Sequence, residues 1–178
     1  MTHDTSGRDT AALRPYPLVF IGPMAAGKSK IGKRVARGLG VPFVDTDKII
    51  VARYGPISEI FAREGEDYFR VIERTVVAEA LLAPSVVSLG GGAILDLDTQ
   101  AELADHTVVY LSVNAAAVAK RIGGTKRPLL ANGTADWQRI FDQRRPLYEA
   151  LASIHFDTSH RPIGRIADEI VDWVRKRS

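Results

Sequence analysis

Short apolar runs alternate along the chain with longer stretches in which apolar positions repeat with a helical period. The short runs are rich in Val, Ile and Leu, which is typical of strands that are buried on both faces. They predict five strands, at 18–21, 42–45, 86–89, 107–112 and 154–157. The longer stretches predict helices at 28–39, 46–54, 57–63, 66–82, 99–104, 114–122, 137–152 and 165–176. Strands and helices that alternate in this way predict an α/β fold with a parallel sheet.

The segment at 123–135 breaks this pattern. It is basic, contains several glycines and has no periodicity, which predicts a mobile lid. The polar stretch at 1–15 lacks the apolar core of a signal peptide, and we expect it to be a disordered leader. The remainder, 16–178, predicts a single domain, because no linker or internal repeat divides it.

Composition and charge narrow the classes of partner. The chain contains no Cys, which excludes a disulfide framework and favours a cytoplasmic location. No apolar run approaches the roughly 20 residues that cross a bilayer, so we expect no membrane partner. The net charge of +3 is modest, and no basic stripe with interleaved aromatic residues is present. We therefore expect no nucleic-acid partner.

The stretch from Gly22 to Ser29 follows the first predicted strand and fits the phosphate-binding pattern G-x-x-x-x-G-K-[ST]. Its glycines let backbone N–H groups converge on an anion, and the predicted helix that follows points its positive end at the same place. Lys28 adds a full charge for the β- and γ-phosphates, and the Ser29 hydroxyl can ligate Mg²⁺. The competing interpretation is a glycine-rich turn that holds no ligand.

Ligands of an open α/β sheet bind at the carboxyl ends of its strands. The second strand ends in Asp45-Thr46-Asp47, where one carboxylate can hold Mg²⁺ and the other can accept or orient a hydroxyl proton. Alternatively, Thr46 or Asp47 only caps the next helix. The third strand ends in three glycines, at 90–92, which either form a flexible turn or let a substrate approach the backbone N–H groups. Because this strand lacks the terminal Asp of an ordinary NTPase, Asp45 is the better candidate for Mg²⁺.

Three arginines are candidates for binding an anionic group. Arg70 lies on the long helix before the third strand, Arg127 lies in the predicted lid, and Arg144 lies on the helix after it. A guanidinium can bind a carboxylate or a phosphate through two parallel hydrogen bonds. Any one of them could equally be a solvated surface residue, and sequence spacing does not show that Arg70 and Arg144 converge.

Six motifs are read in order along the chain: Gly-Pro-Met-x-Ala-Gly-Lys-Ser, Asp-Thr-Asp, Phe-Arg-x-x-Glu, Ser-Leu-Gly-Gly-Gly-Ala, Arg-Pro-Leu-Leu and Arg-x-Pro-Leu-Tyr. From about residue 17 onward the sequence resembles shikimate kinases, in which these motifs occur in the same order. The resemblance implies a three-layer α/β/α P-loop fold like that of nucleoside monophosphate kinases, with strand order 2-3-1-4-5 and a mobile lid. It also implies a monomeric enzyme that transfers the γ-phosphate of ATP to the 3-hydroxyl of shikimate, in the pathway to chorismate and the aromatic amino acids.

The resemblance further implies roles for individual residues. Asp47 matches the carboxylate that binds the shikimate hydroxyls and is proposed as the base. Arg70 and Arg144 match the pair that holds the shikimate carboxylate. The other acceptor residues match an acid that orients the arginines (Glu73), apolar walls (Phe61 and Phe69) and glycines that meet the ring hydroxyls (Gly91 and Gly92).

The donor side of the site is implied in the same way. Lys28 and the lid residue Arg127 match catalytic residues at the phosphates. Ser29 and Asp45 match the magnesium positions. Arg121 matches a residue that packs on adenine. The residues that match ATP-binding positions are Gly22, Met24, Ala25, Ala26, Gly27, Lys28, Ser29, Lys30, Arg121, Arg127 and Arg161.

Two positions depart from the family pattern, since Ala25 replaces a common Gly and Lys30 replaces a frequent Thr. The lid is also about one residue shorter than in some relatives. A kinase for gluconate or a nucleoside monophosphate would share the phosphate loop, but it would not need the glycines at 90–92 together with Arg70 and Arg144. A nucleotide-binding module without catalysis is a further alternative, and the retained lysine, serine and aspartates argue against it.

Overall fold

Five strands form one sheet at the centre of the computed structural model, which describes residues 14–122 and 132–178. They are β1 (Arg14–Ile21), β2 (Phe43–Asp45), β3 (Val86–Ser88), β4 (His106–Ser112) and β5 (Ile154–Asp157). Their order across the sheet is β2-β3-β1-β4-β5, and every neighbouring pair is parallel. The predicted α/β class and the strand order 2-3-1-4-5 are therefore confirmed.

Eight α-helices and one short 3₁₀ turn accompany these strands in the described residues. The turn, Ala93–Leu95, was not predicted. The helices are α1 (Lys28–Leu39), α2 (Thr46–Tyr54), α3 (Ile57–Glu64), α4 (Glu66–Ala80), α5 (Leu97–Leu103), α6 (Ala115–Ile122), α7 (Thr134–Leu151) and α8 (Ile163–Arg175).

Only α1, α2 and β5 match the predicted bounds at both ends, and the other elements differ by one to four residues. β1 begins at Arg14 instead of 18, so only residues 1–13 of the predicted leader lie outside the described residues. α5 begins two residues early, because the Asp96 side chain accepts a hydrogen bond from the Thr99 N–H at 2.8 Å and caps the helix. α7 begins at Thr134, so residues 134 and 135 of the predicted lid are helical, whereas 123–131 lie outside the described residues.

The main hydrophobic core lies on both faces of the sheet. Leu18, Val19, Phe20 and Ile21 of β1 are each at most 1% exposed. Because successive side chains of a strand point to opposite faces, helices must cover both sides of the sheet. This burial gives the three-layer α/β/α arrangement that the resemblance implied.

A second, smaller apolar cluster joins α2, α3 and α4 beside the sheet. Its fully buried members include Ile50 and Ile60, and Phe69, Ile72 and Val76 of α4 complete it. This packing fixes α4, the helix that carries Arg70 and Glu73, next to the carboxyl ends of β2 and β3. Among the described residues, no helix has the length and apolar character needed to span a membrane.

Candidate active site

The loop between β1 and α1 curls around the N-terminal end of α1. Gly22 and Gly27 have φ angles of 144° and 89°, and a Cβ at Gly22 would overlap the carbonyl oxygen of Leu111 in β4. Ala25 also lies in the left-handed region, with φ 66°. A side chain in this left-handed conformation costs about 1–2 kcal/mol. This cost explains why the family that the sequence resembles commonly has Gly at this position. The first turn of α1 contains no acidic residue, so no side chain of the helix itself opposes its positive end.

Three side chains from distant elements hold successive carbonyl groups of this loop. Since the C=O and N–H of a peptide point in opposite directions, these bonds fix the loop N–H groups on the other side, where they can bind an anion. Sequence reasoning missed this role of Trp137 and Thr158, because the bonds join side chains to backbone over large sequence distances. The bonds run from Trp137 Nε1 to Met24 (3.0 Å), from Arg121 Nη1 to Ala25 (2.8 Å) and from Thr158 Oγ1 to Ala26 (2.8 Å).

Lys28 lies inside the curl of the loop. Its Nζ donates to the carbonyls of Gly22 at 2.8 Å and Pro23 at 2.9 Å. These bonds hold the ammonium group at the mouth of the loop, beside the N-terminal end of α1. The loop therefore combines a full positive charge with a helix end, which is the combination that phosphate groups bind.

Ser29 and Asp45 meet where α1 starts and β2 ends. The Ser29 hydroxyl donates to Asp45 Oδ2 at 2.6 Å, and Asp45 also caps α2 by accepting from the Lys48 N–H at 3.3 Å. The alternative that Thr46 or Asp47 caps this helix is therefore wrong. Hydroxyl and carboxylate oxygens are ligands that Mg²⁺ accepts alongside water and phosphate oxygens, so this pair fits the ion. Within 14–122 and 132–178, no group of three His, Cys, Asp or Glu side chains could hold a metal.

Two cavities adjoin at this edge of the sheet. The larger, about 360 Å³, follows the phosphate loop and also reaches Asp45, Arg121 and Thr158. The smaller, about 210 Å³, lies against α3 and α4. Met24, Asp47 and Gly91 line both cavities. The smaller cavity is completed by Ile57, Phe61, Phe69, Arg70, Glu73, Gly90, Gly92 and Arg144.

The glycines at 90–92 make room for the charged side chains of the smaller cavity. A Cβ at Gly90 would lie 2.7 Å from Asp47 Oδ1 and 2.8 Å from Glu73 Oε1. A Cβ at Gly92 would lie 2.6 Å from the Arg70 guanidinium nitrogens. Real Cβ atoms do not approach so closely, so larger residues would displace these side chains. The sequence predicted close approach by a substrate, and the structure adds that the protein's own side chains approach as well.

Arg70 and Glu73 form the shortest ion pair of this cavity. Arg70 Nη1 lies 2.6 Å from Glu73 Oε2, and Arg70 Nη2 lies 3.0 Å from Glu66 Oε1. Glu73 is 3% exposed, and burial raises the pKa of its carboxyl above its ordinary value, although Arg70 opposes the shift. Burial lowers the pKa of Arg70, but the charges and hydrogen bonds of Glu73 and Glu66 together outweigh it, and the net shift is upward. The Phe61 and Phe69 rings, 4.8 Å apart, form the apolar wall beside this pair.

Arg144 lies on α7 and is only 8% exposed. In the described part of the chain it forms no ion pair within 4.0 Å. Its charge, like that of Arg70, opposes the upward shift in the pKa of Glu73. Its Nη1 lies 3.6 Å from where a Cβ at Gly91 would be. The structure thus brings Arg70 and Arg144 to one cavity, which sequence spacing could not show.

One of the predicted donor-site residues lies away from the larger cavity, and one lies at its edge. Arg161 is exposed and pairs with Glu169, and it does not line the larger cavity, whereas Ile163 from the following helix does. Lys30 is exposed at the rim of that cavity. Arg127 lies outside the described residues.

A phosphate loop beside a second, charged cavity defines a P-loop kinase. The family model described as "Shikimate kinase" matches residues 24–175. The shikimate kinase of Thermobifida fusca is 49% identical over 149 residues, which are 81% of this chain and 87% of that protein. The shikimate kinase of Salinispora arenicola is 47% identical over 85% of this chain and 93% of its own length. The chain belongs to the shikimate kinase family.

Solved structures agree with this assignment. A shikimate kinase from Acinetobacter baumannii, in complex with shikimate, superposes with a TM-score of 0.85 at 31% identity and covers 90% of this chain and 93% of its own. The shikimate kinase from Aquifex aeolicus gives a TM-score of 0.76 at 29% identity, over 89% of this chain and 95% of its own. A gluconokinase from Sinorhizobium meliloti, at 18% identity and a TM-score of 0.59, over 89% of this chain and 91% of its own, shares the fold alone.

The raised pKa of Glu73 predicts how the Glu73→Gln variant depends on pH. The folded protein holds the Glu73 proton more tightly than the unfolded chain, so the carboxyl favours folding at low pH and this contribution is lost as the pH rises above 4.5. Between about pH 4 and about pH 7, the free energy of unfolding of the Gln variant should therefore rise relative to that of the wild type, measured by urea denaturation. A constant difference, or one of opposite slope, would contradict the raised pKa.

Proposed function

We propose that this chain transfers the γ-phosphate of ATP to the 3-hydroxyl of shikimate, giving shikimate 3-phosphate and ADP. The observation that carries the proposal is the buried Arg144, which has no carboxylate partner among the described residues and lines the same cavity as Arg70. A buried cation without a counter-ion is costly. A ligand that brings its own carboxylate removes this cost, and shikimate is such a ligand.

The acceptor binds through its carboxylate and its hydroxyls. Arg70 and Arg144 hold the carboxylate by charge-assisted hydrogen bonds, and the two-pronged guanidinium fixes its orientation. The Phe61 and Phe69 rings cover the apolar part of the shikimate ring. The hydroxyls are left to the Asp47 carboxylate and to the backbone N–H groups of the glycines at 90–92. Carboxylate and hydroxyl contacts together select an anionic polyol of this size.

Phosphoryl transfer takes place where the two cavities meet. Asp47 lines both cavities, and in the proposed mechanism it orients the 3-hydroxyl and accepts its proton as the new O–P bond forms. The bond between the γ-phosphorus and the β–γ bridging oxygen breaks, and ADP leaves. Lys28 and the loop N–H groups stabilise the negative charge on the phosphates. Most of the rate enhancement thus comes from positioning and charge stabilisation.

The remaining donor contacts follow from the same arrangement. Ser29 and Asp45 would hold Mg²⁺, which neutralises charge on the β- and γ-phosphates when it is bound. Arg121 donates to the carbonyls of Ala25 in the phosphate loop and of Thr158 (2.6 Å), and it is proposed to pack on adenine. Arg127 is proposed to close over the phosphates and exclude water, which would otherwise hydrolyse ATP.

The cytoplasmic location, the monomeric state, the disordered leader and the absence of nucleic-acid and membrane partners stay predictions from the sequence. So does the role of the glycine-rich segment as a lid.

A coupled assay for ADP release tests the proposed reaction. Release from Mg-ATP should depend on shikimate, and shikimate should raise the melting temperature of the protein whereas gluconate, AMP and CMP should not. Folded protein that releases no ADP in response to shikimate would refute the proposal. Stabilisation by gluconate or by a nucleoside monophosphate would instead favour a different kinase of the same fold.

Arg144→Ala should raise the KM for shikimate by about 30-fold or more and leave the KM for ATP nearly unchanged. Truncating one partner of a buried charge pair costs about 2–5 kcal/mol, and 2 kcal/mol corresponds to about 30-fold. Arg145→Ala is the matched control, because Arg145 is exposed and pairs with Glu149 at 2.7 Å on the outside of α7. An equal rise in both KM values, or the same effect in the control, would contradict the assignment of Arg144.

Asp47→Asn should lower kcat by about 100-fold or more, since a positioned general base contributes about 10²–10⁴-fold. The amide keeps the shape of the carboxylate, so the melting temperature and the thermal shift caused by Mg-ATP should be retained. Steady-state kinetics at saturating substrates measures the change. Turnover near that of the wild type would refute the proposed role of Asp47.

A further inference from the structure

We propose that Tyr148 is a positioning residue of the acceptor site, whose hydroxyl fixes the Gly91–Gly92 peptide and the Arg144 guanidinium relative to each other. The inference rests on the proposed function, in which these two groups bind the acceptor. Tyr148 lies behind the cavity rather than in its wall, so its effect on the substrate is transmitted through Gly91 and Arg144.

The hydroxyl of Tyr148 completes the anchoring of the three glycines. The carbonyls of Gly90 and Gly92 accept hydrogen bonds from the backbone N–H groups of Ala93 and Leu95, each at 3.1 Å. The carbonyl of Gly91 accepts instead from the Tyr148 hydroxyl, at 2.5 Å. All three carbonyls of the turn are therefore held, and the middle one depends on a side chain.

Fixing the Gly91 carbonyl also fixes the direction of the next N–H group. In a trans peptide the C=O and the N–H are antiparallel, so the Gly92 N–H points away from Tyr148. Within the described part of the chain, the N–H groups of Gly91 and Gly92 donate to no backbone carbonyl. They are the donors that the proposed function assigns to the shikimate hydroxyls, and Tyr148 sets the orientation of the Gly92 N–H.

The same hydroxyl contacts the carboxylate anchor. Arg144 precedes Tyr148 by one turn of α7, so both side chains lie on one face of the helix, and the charge of the guanidinium acts on the tyrosine hydroxyl. Burial raises the pKa of Tyr148 to about 12, so the hydroxyl keeps its proton and remains a donor at neutral pH. It donates to the Gly91 carbonyl and lies on the same helix face as Arg144, which links the two halves of the acceptor site.

The ring of Tyr148 is held independently of its hydroxyl. Tyr148 is fully buried and stacks on Tyr110, with ring centroids 5.3 Å apart and an interplanar angle of 17°. Tyr110 stacks in turn on His155, at 4.5 Å. Tyr148→Phe removes only the hydroxyl and keeps this stacking, so the variant separates positioning from core packing.

The experiment compares Tyr148→Phe with Tyr110→Phe, which makes the same chemical change one ring further from the site. Tyr148→Phe should raise the KM for shikimate by about fivefold or more, while the KM for ATP stays within about twofold of wild type. Tyr110→Phe should leave both values within about twofold. In the ligand-free protein, the amide NMR signals of Gly91 and Gly92 should shift in Tyr148→Phe and not in Tyr110→Phe.

Three results would overturn the proposal: unchanged shikimate KM with unmoved glycine signals, equal changes in both KM values, or equal effects of the two variants. A fall in the melting temperature of Tyr148→Phe by more than about 10 °C would assign the hydroxyl to stability and would also overturn it. Loss of the proposed function is distinguishable, because wild-type protein would then show no shikimate-dependent turnover. The ligand-free NMR comparison would still decide whether Tyr148 orients the glycine peptide.

Discussion

The acceptor cavity depends on the buried carboxylate of Glu73, which lies within the fields of two guanidinium groups. It engages Arg70 directly at 2.6 Å, while Arg144 acts on it by charge alone. Without this carboxylate, two cations beside one sheltered cavity would repel each other where water screens poorly. Because Glu73 pairs directly with Arg70, the charge of Arg144 has no carboxylate partner of its own among the described residues, and this is the charge that the proposed function assigns to the acceptor carboxylate.

Apolar packing and the glycines at 90–92 determine where these charged side chains lie. The cluster of Ile50, Ile60, Phe69, Ile72 and Val76 fixes α4, so that Glu73 and Arg70 project over the end of β3. The glycines at 90–92 then give the carboxylates and guanidinium room to approach the backbone. On the donor side, three side chains donate to carbonyls of the phosphate loop. These bonds fix the direction of the loop N–H groups.

Most of the fold could be predicted from the sequence, because each strand carries a buried apolar run and each helix a periodic one. The ends were less predictable, since they depend on caps such as Asp96 and Asp45. The phosphate loop and the strand-end residues have local patterns, and the structure gathers them around two adjoining cavities. Trp137, Thr158 and Tyr148 have no such pattern, because their hydrogen bonds reach backbone carbonyls 57 to 132 residues away. Arg161 fits the family pattern, yet its side chain turns to Glu169.

The three residues common to both cavities limit how an enzyme of this architecture can diverge. Met24, Asp47 and Gly91 form a shared wall, so a substitution there alters the nucleotide side and the acceptor side at once. Ile57 and Phe61 of α3 face the smaller cavity alone and are only partly buried, so they can vary in size without touching the phosphate loop. A change of acceptor preference is therefore most accessible along the α3 wall, whereas a change in the shared wall affects the sites of both substrates at once.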